Sequence, residues 1–202
     1  MPLFQDLMEP SINQLPYDGE VHYWRRIFSQ GDALQYYELL LKQIAWKNDE
    51  AIIFGKHIVT KRKVAWYADE PYQYTYSNIH RTALRWTPHL LALKEKVEAK
   101  TQQSYNSCLL NLYHTGDEGM AWHSDDERAL KAQGSIASLS LGAVRKFAFK
   151  HKKTKERLVF ELESGDLIEM KGETQSHWLH NVPTTKKIQM PRINLTFRQM
   201  EQ

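Results

Sequence analysis

The stretch "MAWHSDDERAL", residues 120–130, sets an imidazole and a carboxylate two positions apart, His123 and Asp125, and follows them at once with Asp126 and Glu127. In an extended strand, positions i and i+2 project from the same face, so this spacing lets His123 and Asp125 reach one point in space. A third ligand would complete a two-histidine, one-carboxylate facial triad, the set that holds ferrous iron and leaves positions open for oxygen and a cosubstrate. "QSHWLHNVP" offers two candidates for it, His177 and His180.

A second pattern lies in "PRINLTFRQ" near the C terminus. Period-two alternation puts Ile193, Leu195 and Phe197 on one face and Arg192, Asn194, Thr196 and Arg198 on the other. The first set suits a core. A guanidinium that points into a sandwich needs an acid partner, which either protein carboxylates or an exogenous dicarboxylate could supply.

The elements that must position these residues change character along the chain. From about residue 105 the sequence reads as short alternating runs broken by turn residues: "YNSCLLNLY", "SIASLSLGA", "RKFAFKH", "RLVFELE", "DLIEM" and "RINLTFRQ", with "SGD" making a turn. Short strands in series with no helix between them predict a jelly roll rather than a parallel α/β sheet. Ahead of them, "GDALQYYELLLKQIAW" predicts a helix capped by Asp32 with Leu34, Tyr37, Leu41 and Ile44 as its apolar stripe. "TPHLLALKEKVEAK" predicts another, with Thr87 as cap, Pro88 at the first helical position, and Leu90, Leu93 and Val97 facing the core.

At 202 residues the chain is long enough for one well-buried core, and its length does not demand a second domain. The first twenty residues and the last three or four read as loose ends. Six Trp, ten Tyr and seven Phe give wide scope for stacking surfaces. The net charge of +3 conceals two basic clusters suited to phosphates, "TKRK" (Thr60 to Lys63) and "KHKKTKER" (Lys150 to Arg157). A single cysteine, Cys108, excludes an intramolecular disulfide and a Cys-rich zinc site. The acidic residues of "MPLFQDLMEP" do not fit a secretory signal, and no apolar run is long enough to span a bilayer. We read an intracellular, soluble protein with no membrane partner, cytoplasmic or, in a eukaryote, nuclear, and monomeric.

With the H-x-D of "WHSDDE", the later "LHNVP" and "PRINLTFR" in place, the chain resembles the AlkB family of iron(II)- and 2-oxoglutarate-dependent dioxygenases, closest to its nucleic-acid repair branch. The resemblance runs from about Phe54 to Arg198 and takes in "IIFGK", "YTYS", "NLY", "SDDER" and "GAVRKFAFKHK" in order. It implies a mainly β fold with N-terminal α/β elements: a double-stranded β-helix (jelly roll) core at 104–199, helices and a nucleotide-recognition lid at 21–103, and a loose segment at 1–20, all in one domain.

The resemblance also implies roles. His123, Asp125 and His180 match the iron ligands, which leaves His177 structural or behind the ligands. Asn111 and Tyr113 of "NLY", with Arg192, Thr196 and Arg198, match positions that hold 2-oxoglutarate, and an arginine fork can donate two parallel charge-assisted hydrogen bonds to a carboxylate. Asp126 and Glu127 match positions beside the substrate base, where an acid can accept from adenine N6 or cytosine N4; alternatively either acid pairs with Arg128 or Arg145. Tyr74 and Tyr76 match base-contacting positions, because a base must be flipped to reach such a metal and is then gripped by stacking. Phe54 matches the wedge that duplex-acting members push into the stack, with Gly55 beside it, and Lys56, Lys61, Arg62 and Lys63 stand ready for phosphates.

The implied activity is oxidative removal of N-methyl groups from 1-methyladenine and 3-methylcytosine in single-stranded or duplex DNA, with etheno adducts as further candidates. Fe(II), O2 and 2-oxoglutarate would be consumed or used, giving formaldehyde, succinate and carbon dioxide. The alternatives are an RNA demethylase of the same mechanism and a non-catalytic nucleic-acid-binding jelly roll whose His/Asp/His site holds a structural metal.

Overall fold

In the computed structural model, residues 12–53, 56–76 and 79–201 are described, and the side chains of 51–53, 74–76 and 79–81 are outside that description. Phe54 and Gly55 therefore lie outside the described residues, as do the side chains of Tyr74 and Tyr76. In chain order the elements are β1 (Glu20–Trp24), α1 (Gln30–Gln43), β2 (Lys47–Ile53), β3 (Lys56–Ala68), β4 (Gln73–Tyr76), β5 (Ile79–Thr82), β6 (Leu84–Arg85) and α2 (Pro88–Thr101). They continue as β7 (Ser107–Tyr113), β8 (Met120–His123), β9 (Ile136–Gly142), β10 (Arg145–His151), β11 (Arg157–Leu162), β12 (Leu167–Lys171), α3 (Thr174–His177), β13 (Trp178–Val182) and β14 (Arg192–Arg198).

The expected alternating runs become β7, β9, β10, β11, β12 and β14, and "SGD" is the turn that feeds β12, with Gly165 at φ +91. In this half of the chain two strands went unread. β8 is four residues long and only partly buried, and in β13 the inward positions are Trp178, His180 and Val182, so an imidazole interrupts the apolar signal. The one-turn helix α3 also interrupts the expected all-strand half.

The strands form a double-stranded β-helix. A larger sheet runs β1-β12-β9-β14-β7-β3-β2, with β6 on β3, and a smaller one runs β11-β10-β13-β8. One face of the larger sheet presents Leu110, Leu112, Leu139, Leu141, Ile193 and Leu195 to α1 and α2, which close that side with Leu40, Leu90, Leu93 and Val97. The other face meets the smaller sheet through Tyr23, Ile168 and Met170 against Phe147, Phe149, Phe160 and Trp178. The two-layer arrangement buries both apolar faces and leaves one inter-sheet space.

The second expected helix holds in detail: Thr87 accepts from the Leu90 amide, Pro88 opens the helix, and Leu90, Leu93 and Val97 are fully buried. The first is shifted. Its cap is Ser29, whose hydroxyl accepts from the Asp32 amide, so Asp32 sits in the first turn, where a negative charge suits the helix dipole. Ala33 and Leu40 face the core while Leu34 is 57% exposed. Of the expected stripe, Ile44 is buried in the same core and Tyr37 and Leu41 pack against it, so Leu34 alone departs, its place taken by the smaller Ala33.

The N-terminal boundary also differs from expectation. Leu15 is buried, the Gln14 amide donates to Val21, and β1 is an edge strand of the larger sheet paired with β12. Of residues 21–103, β1, α1 and α2 thus belong to the jelly-roll layers, while β2, the outer part of β3 and the β4–β5 hairpin extend beyond them. No helix among the described residues is long and apolar enough to cross a membrane.

Candidate active site

Strand register builds the site. β14 lies between β7 and β9, with Asn194 opposite Asn111 on one side and Ser140 on the other, Thr196 opposite Ser138, and Arg192 opposite Tyr113 and Gly142. Directly paired residues share a sheet face, so Arg192, Asn194, Thr196, Arg198, Asn111, Tyr113, Ser138 and Ser140 form one polar floor between the two sheets. Gly142 is needed at its corner: φ is +88, and a Cβ there would meet Pro191 O at 2.6 Å.

On the facing sheet, β8 and β13 pair with His123 directly opposite His180, which brings the two rings to 4.2 Å. Asp125 Oδ1 lies 3.6 Å from His123 Nε2 and 3.9 Å from His180 Nε2. The sequence spacing thus works, though by a different route. β8 ends at His123, and Asp125 is positioned from the following loop, where Gln175 Oε1 accepts from its amide and Ser124 donates to Trp178 O. His180 is the third member; His177 lies elsewhere, beside His151.

The electrostatics suit a metal. Burial pushes the His180 imidazole down to about 4, so at neutral pH its ring is uncharged and carries a lone pair for coordination. Burial would raise the Asp125 carboxyl, but the charges of His180, Arg198 and His123 outweigh it and hold the group below its ordinary range. Two imidazole nitrogens and a carboxylate oxygen with all ligand atoms within 4.8 Å fit ferrous iron in a facial triad.

These three residues line a cavity of about 140 Å³ together with Asn111, Tyr113, Asn194, Thr196 and Arg198, and with Asp126 and Glu127. A purely structural metal is usually closed off by four protein ligands, whereas this set of three faces a cavity. Tyr113 carries the cavity's positive wall: the guanidiniums of Arg145 and Arg192 lie 5.6 Å from its ring centre and that of Arg62 5.9 Å. Arg192 does not itself line the cavity. It is fully buried over Tyr113, donates to Ser140 Oγ and Asn194 Oδ1, and has no acceptor for Nε or Nη1 among the described residues. Burial lowers it to about 10, with Tyr113 opposing the shift and Arg145 adding to it. A buried guanidinium whose bonded partners are all neutral, beside a cavity, fits an exogenous carboxylate.

Other expected residues fall into place unevenly. Glu127 pairs with Arg198 (Oε1 to Nη1, 3.4 Å) and not with Arg128 or Arg145. Its Oε2 is buried with no hydrogen-bond partner among the described residues, and burial raises its carboxyl. Asp126 is exposed at the rim. Arg62 departs from the phosphate-facing position expected of it. On β3 it alternates with Lys61 and Lys63, points inward, and is paired with Asp49 while also contacting Met120 Sδ at 2.8 Å. Lys56 and Lys61 are exposed.

Sequence reasoning missed Arg145 as a part of this site. Its guanidinium donates to the carbonyls of Thr115, Gly116, Glu118 and Pro183, pinning the loop that follows β7 to the segment that follows β13. The available signal was its period-two place with Phe147 and Phe149 along "RKFAF", both of which are buried. The basic hairpin after β10 stands next to β8: Lys150 Nζ is 4.4 Å and the Arg157 guanidinium 5.7 Å from the Trp122 ring.

Residues 20–198 match the model of the 2OG-Fe(II) oxygenase superfamily. Bovine DNA oxidative demethylase ALKBH2 is 34% identical over 185 residues, covering 86% of this chain and 66% of that protein. The human protein of that name is 33% identical over 202 residues, covering 95% of this chain and 77% of that one. The solved structure of OsALKBH1 superimposes with a TM-score of 0.63 at 16% identity over 92% of this chain and 99% of its own, and so shares the fold. The family's cofactors, Fe(II), 2-oxoglutarate and O2, agree with the triad and the arginine-rich floor. A chain with this jelly roll, this triad and these relatives belongs to the AlkB family of Fe(II)/2-oxoglutarate-dependent dioxygenases.

Proposed function

We propose that the chain is a DNA oxidative demethylase that acts on 1-methyladenine and 3-methylcytosine, with etheno adducts as further substrates. The observation that carries this reading is the one cavity shared by the triad, the cosubstrate floor and Glu127, whose Oε2 is buried with no hydrogen-bond partner among the described residues. The names of the mammalian relatives point the same way.

His123, Asp125 and His180 would hold the iron, which with 2-oxoglutarate and O2 supplies the oxidation of a substrate methyl group. Arg198 and Thr196 would hold one end of the dicarboxylate, and Asn111, Tyr113 and Arg192 the other. The phenol ring of Tyr113, ringed by three guanidiniums, keeps that end positive without placing all of them in the cavity. Glu127 would accept from the exocyclic amino group of adenine or cytosine, a donor that thymine lacks on that edge. Its present pairing with Arg198 couples the substrate end of the cavity to the cosubstrate end. The hydroxylated methyl group leaves as formaldehyde, and the base is restored.

Residues 47–82 supply the proposed nucleotide lid, supported by contact of β2 with β5. Tyr74 and Tyr76 would stack on the flipped base, and Phe54, next to Gly55 and Lys56, would fill the gap it leaves. Asp126 sits at the rim where the strand enters, and the exposed Lys56 and Lys61 face the phosphates. Arg62 would act from inside the cavity rather than on the backbone. The chain is proposed to fold as one domain and to act as an intracellular monomer. Formaldehyde release from methylated single-stranded DNA, duplex DNA and RNA oligonucleotides compared side by side tests the reading; turnover confined to RNA would replace it with an RNA demethylase.

A further inference from the structure

A second cluster of metal-ligating side chains lies outside the active-site cavity. Asp18, His151 and His177 each offer one ligand atom, all within 4.8 Å of one another, and none of the three lines that cavity. They come from distant parts of the chain: the turn ahead of β1, the end of β10, and the end of α3.

His151 is the centre. It is 2% exposed, and its Nε2 is shut off from solvent, makes no hydrogen bond among the described residues, and has Asp18 Oδ2 at 3.3 Å as its one ion-pair neighbour there. The ring is held in place by Trp178 at 4.9 Å and Tyr17 at 5.1 Å, both edge-on, and by Thr154, whose amide nitrogen and Oγ1 are each 3.0 Å from Nδ1. The His177 ring lies nearly parallel to it at 6.3 Å, and Glu173 Oε2 is 3.7 Å from His177 Nε2.

We propose that Asp18, His151 and His177 form a structural divalent-metal site of the zinc class, with Glu173 as fourth ligand. Two imidazoles and two carboxylates are a donor set that zinc accepts in tetrahedral geometry, with bonds of about 2.0–2.2 Å. Closure on the fixed His151 falls on side chains free to make it: Asp18 is 49% and His177 30% exposed, and Glu173, 62% exposed beside His177, must swing in from outside the three-residue cluster. With Nε2 on the metal, the ring proton resides on Nδ1, where Thr154 Oγ1 accepts it, and the Thr154 amide gives up its present acceptor. A metal ligand whose other ring nitrogen donates to an oxygen is the usual arrangement for histidine.

Occupied, the site ties the segment ahead of β1 to the β10–β11 hairpin and to α3, which leads directly into the strand that carries His180. It fastens the frame of the active site without touching its chemistry. Zinc also fits the triad, so the test counts both sites. The full-length chain equilibrated with zinc chloride should bind two zinc ions per chain, and Asp125→Ala should bind one. In that Asp125→Ala background, zinc should raise the melting temperature by several degrees, as expected for a ligand present well above its dissociation constant. Adding either His177→Ala or Asp18→Asn should weaken the remaining zinc at least tenfold and abolish that rise. Both substituted side chains are partly exposed, and circular dichroism checks that the variants fold. Measured alone, His177→Ala should keep iron-dependent turnover within about threefold, which separates this site from the triad. One zinc in the wild type that Asp125→Ala removes, or equal zinc affinity with and without His177 and Asp18, would overturn the proposal.

Discussion

The two histidine clusters draw on the same side chains and differ in what faces them. His123, Asp125 and His180 look into a cavity floored by Asn111, Asn194, Thr196 and Arg198, with Glu127 across from them. Of the other cluster, His151 is packed against Tyr17 and Trp178, Asp18 and His177 stand partly exposed beside it, and none of the three lines the active-site cavity. The donor atoms alone therefore do not separate a site that reacts from one that fastens. What separates them is space for a cosubstrate and a cationic wall to hold it.

The sharpest way to break the comparison is to remove ligands from each cluster. His123→Ala, Asp125→Ala and His180→Ala should each lower succinate formation by about a thousandfold or more, the scale of losing an essential member of a catalytic unit. Succinate formation by His180→Ala near the wild-type rate, with His177→Ala inactive, would exchange the third ligand and merge the two clusters into one.

A second difference is protonic. Because burial takes His180 from 6.5 down to about 4, protonation favours the unfolded chain, and stability that is full above about pH 6.5 is lost as pH falls toward 4. The shift corresponds to something on the order of 3 kcal/mol in the metal-free protein. Urea unfolding at a series of pH values should show that slope in the wild type and a shallower one in His180→Gln. Equal slopes would take the cost of burying that ring out of the account.

The cosubstrate floor is tested by Arg198→Ala. Losing a buried charge-assisted contact to a carboxylate costs on the order of 2–5 kcal/mol, so the Michaelis constant for 2-oxoglutarate should rise by roughly thirtyfold or more. An unchanged constant would remove Arg198 from the cosubstrate's partners and leave it as the counter-ion of Glu127. The smallest effect expected is at the lid. Phe54→Ala should lower repair of methylated duplex by about tenfold and leave single-strand repair within about threefold, since stacking against a base is worth about 1–3 kcal/mol. Parallel loss on both substrates would make Phe54 part of the lid's packing.

Much of the site was legible because its constraints are local. The alternation in "RINLTFR" is readable wherever a strand buries both faces, one apolar and one polar, and all seven residues of β14 are buried. The H-x-D spacing was readable too, although Asp125 reaches His123 from a loop and not along a strand. The choice between His177 and His180 was not readable from spacing. Both occur within the four residues "HWLH", and only the pairing of β13 with β8 sets one of them opposite His123. Long-range placement hid the rest. Nothing in the neighbourhoods of residues 18, 151 and 177 shows that they meet, and Arg62 looks like one more cation in "TKRK" until β3 is placed beside β7. The first helix shows the same limit on a smaller scale, since helical spacing admits either Ala33 or Leu34 at the start of the stripe and only packing buries the former.

The central claim is that this cavity couples 2-oxoglutarate turnover to removal of a methyl group from a DNA base. The most direct measurement supplies the iron-loaded chain with 2-oxoglutarate, O2 and an oligonucleotide carrying 3-methylcytosine, and follows formaldehyde and succinate together. The account predicts that they appear one for one, that unmethylated cytosine is recovered, and that both products vanish in Asp125→Ala. Succinate without formaldehyde on methylated DNA, or formaldehyde that persists in Asp125→Ala, would contradict it.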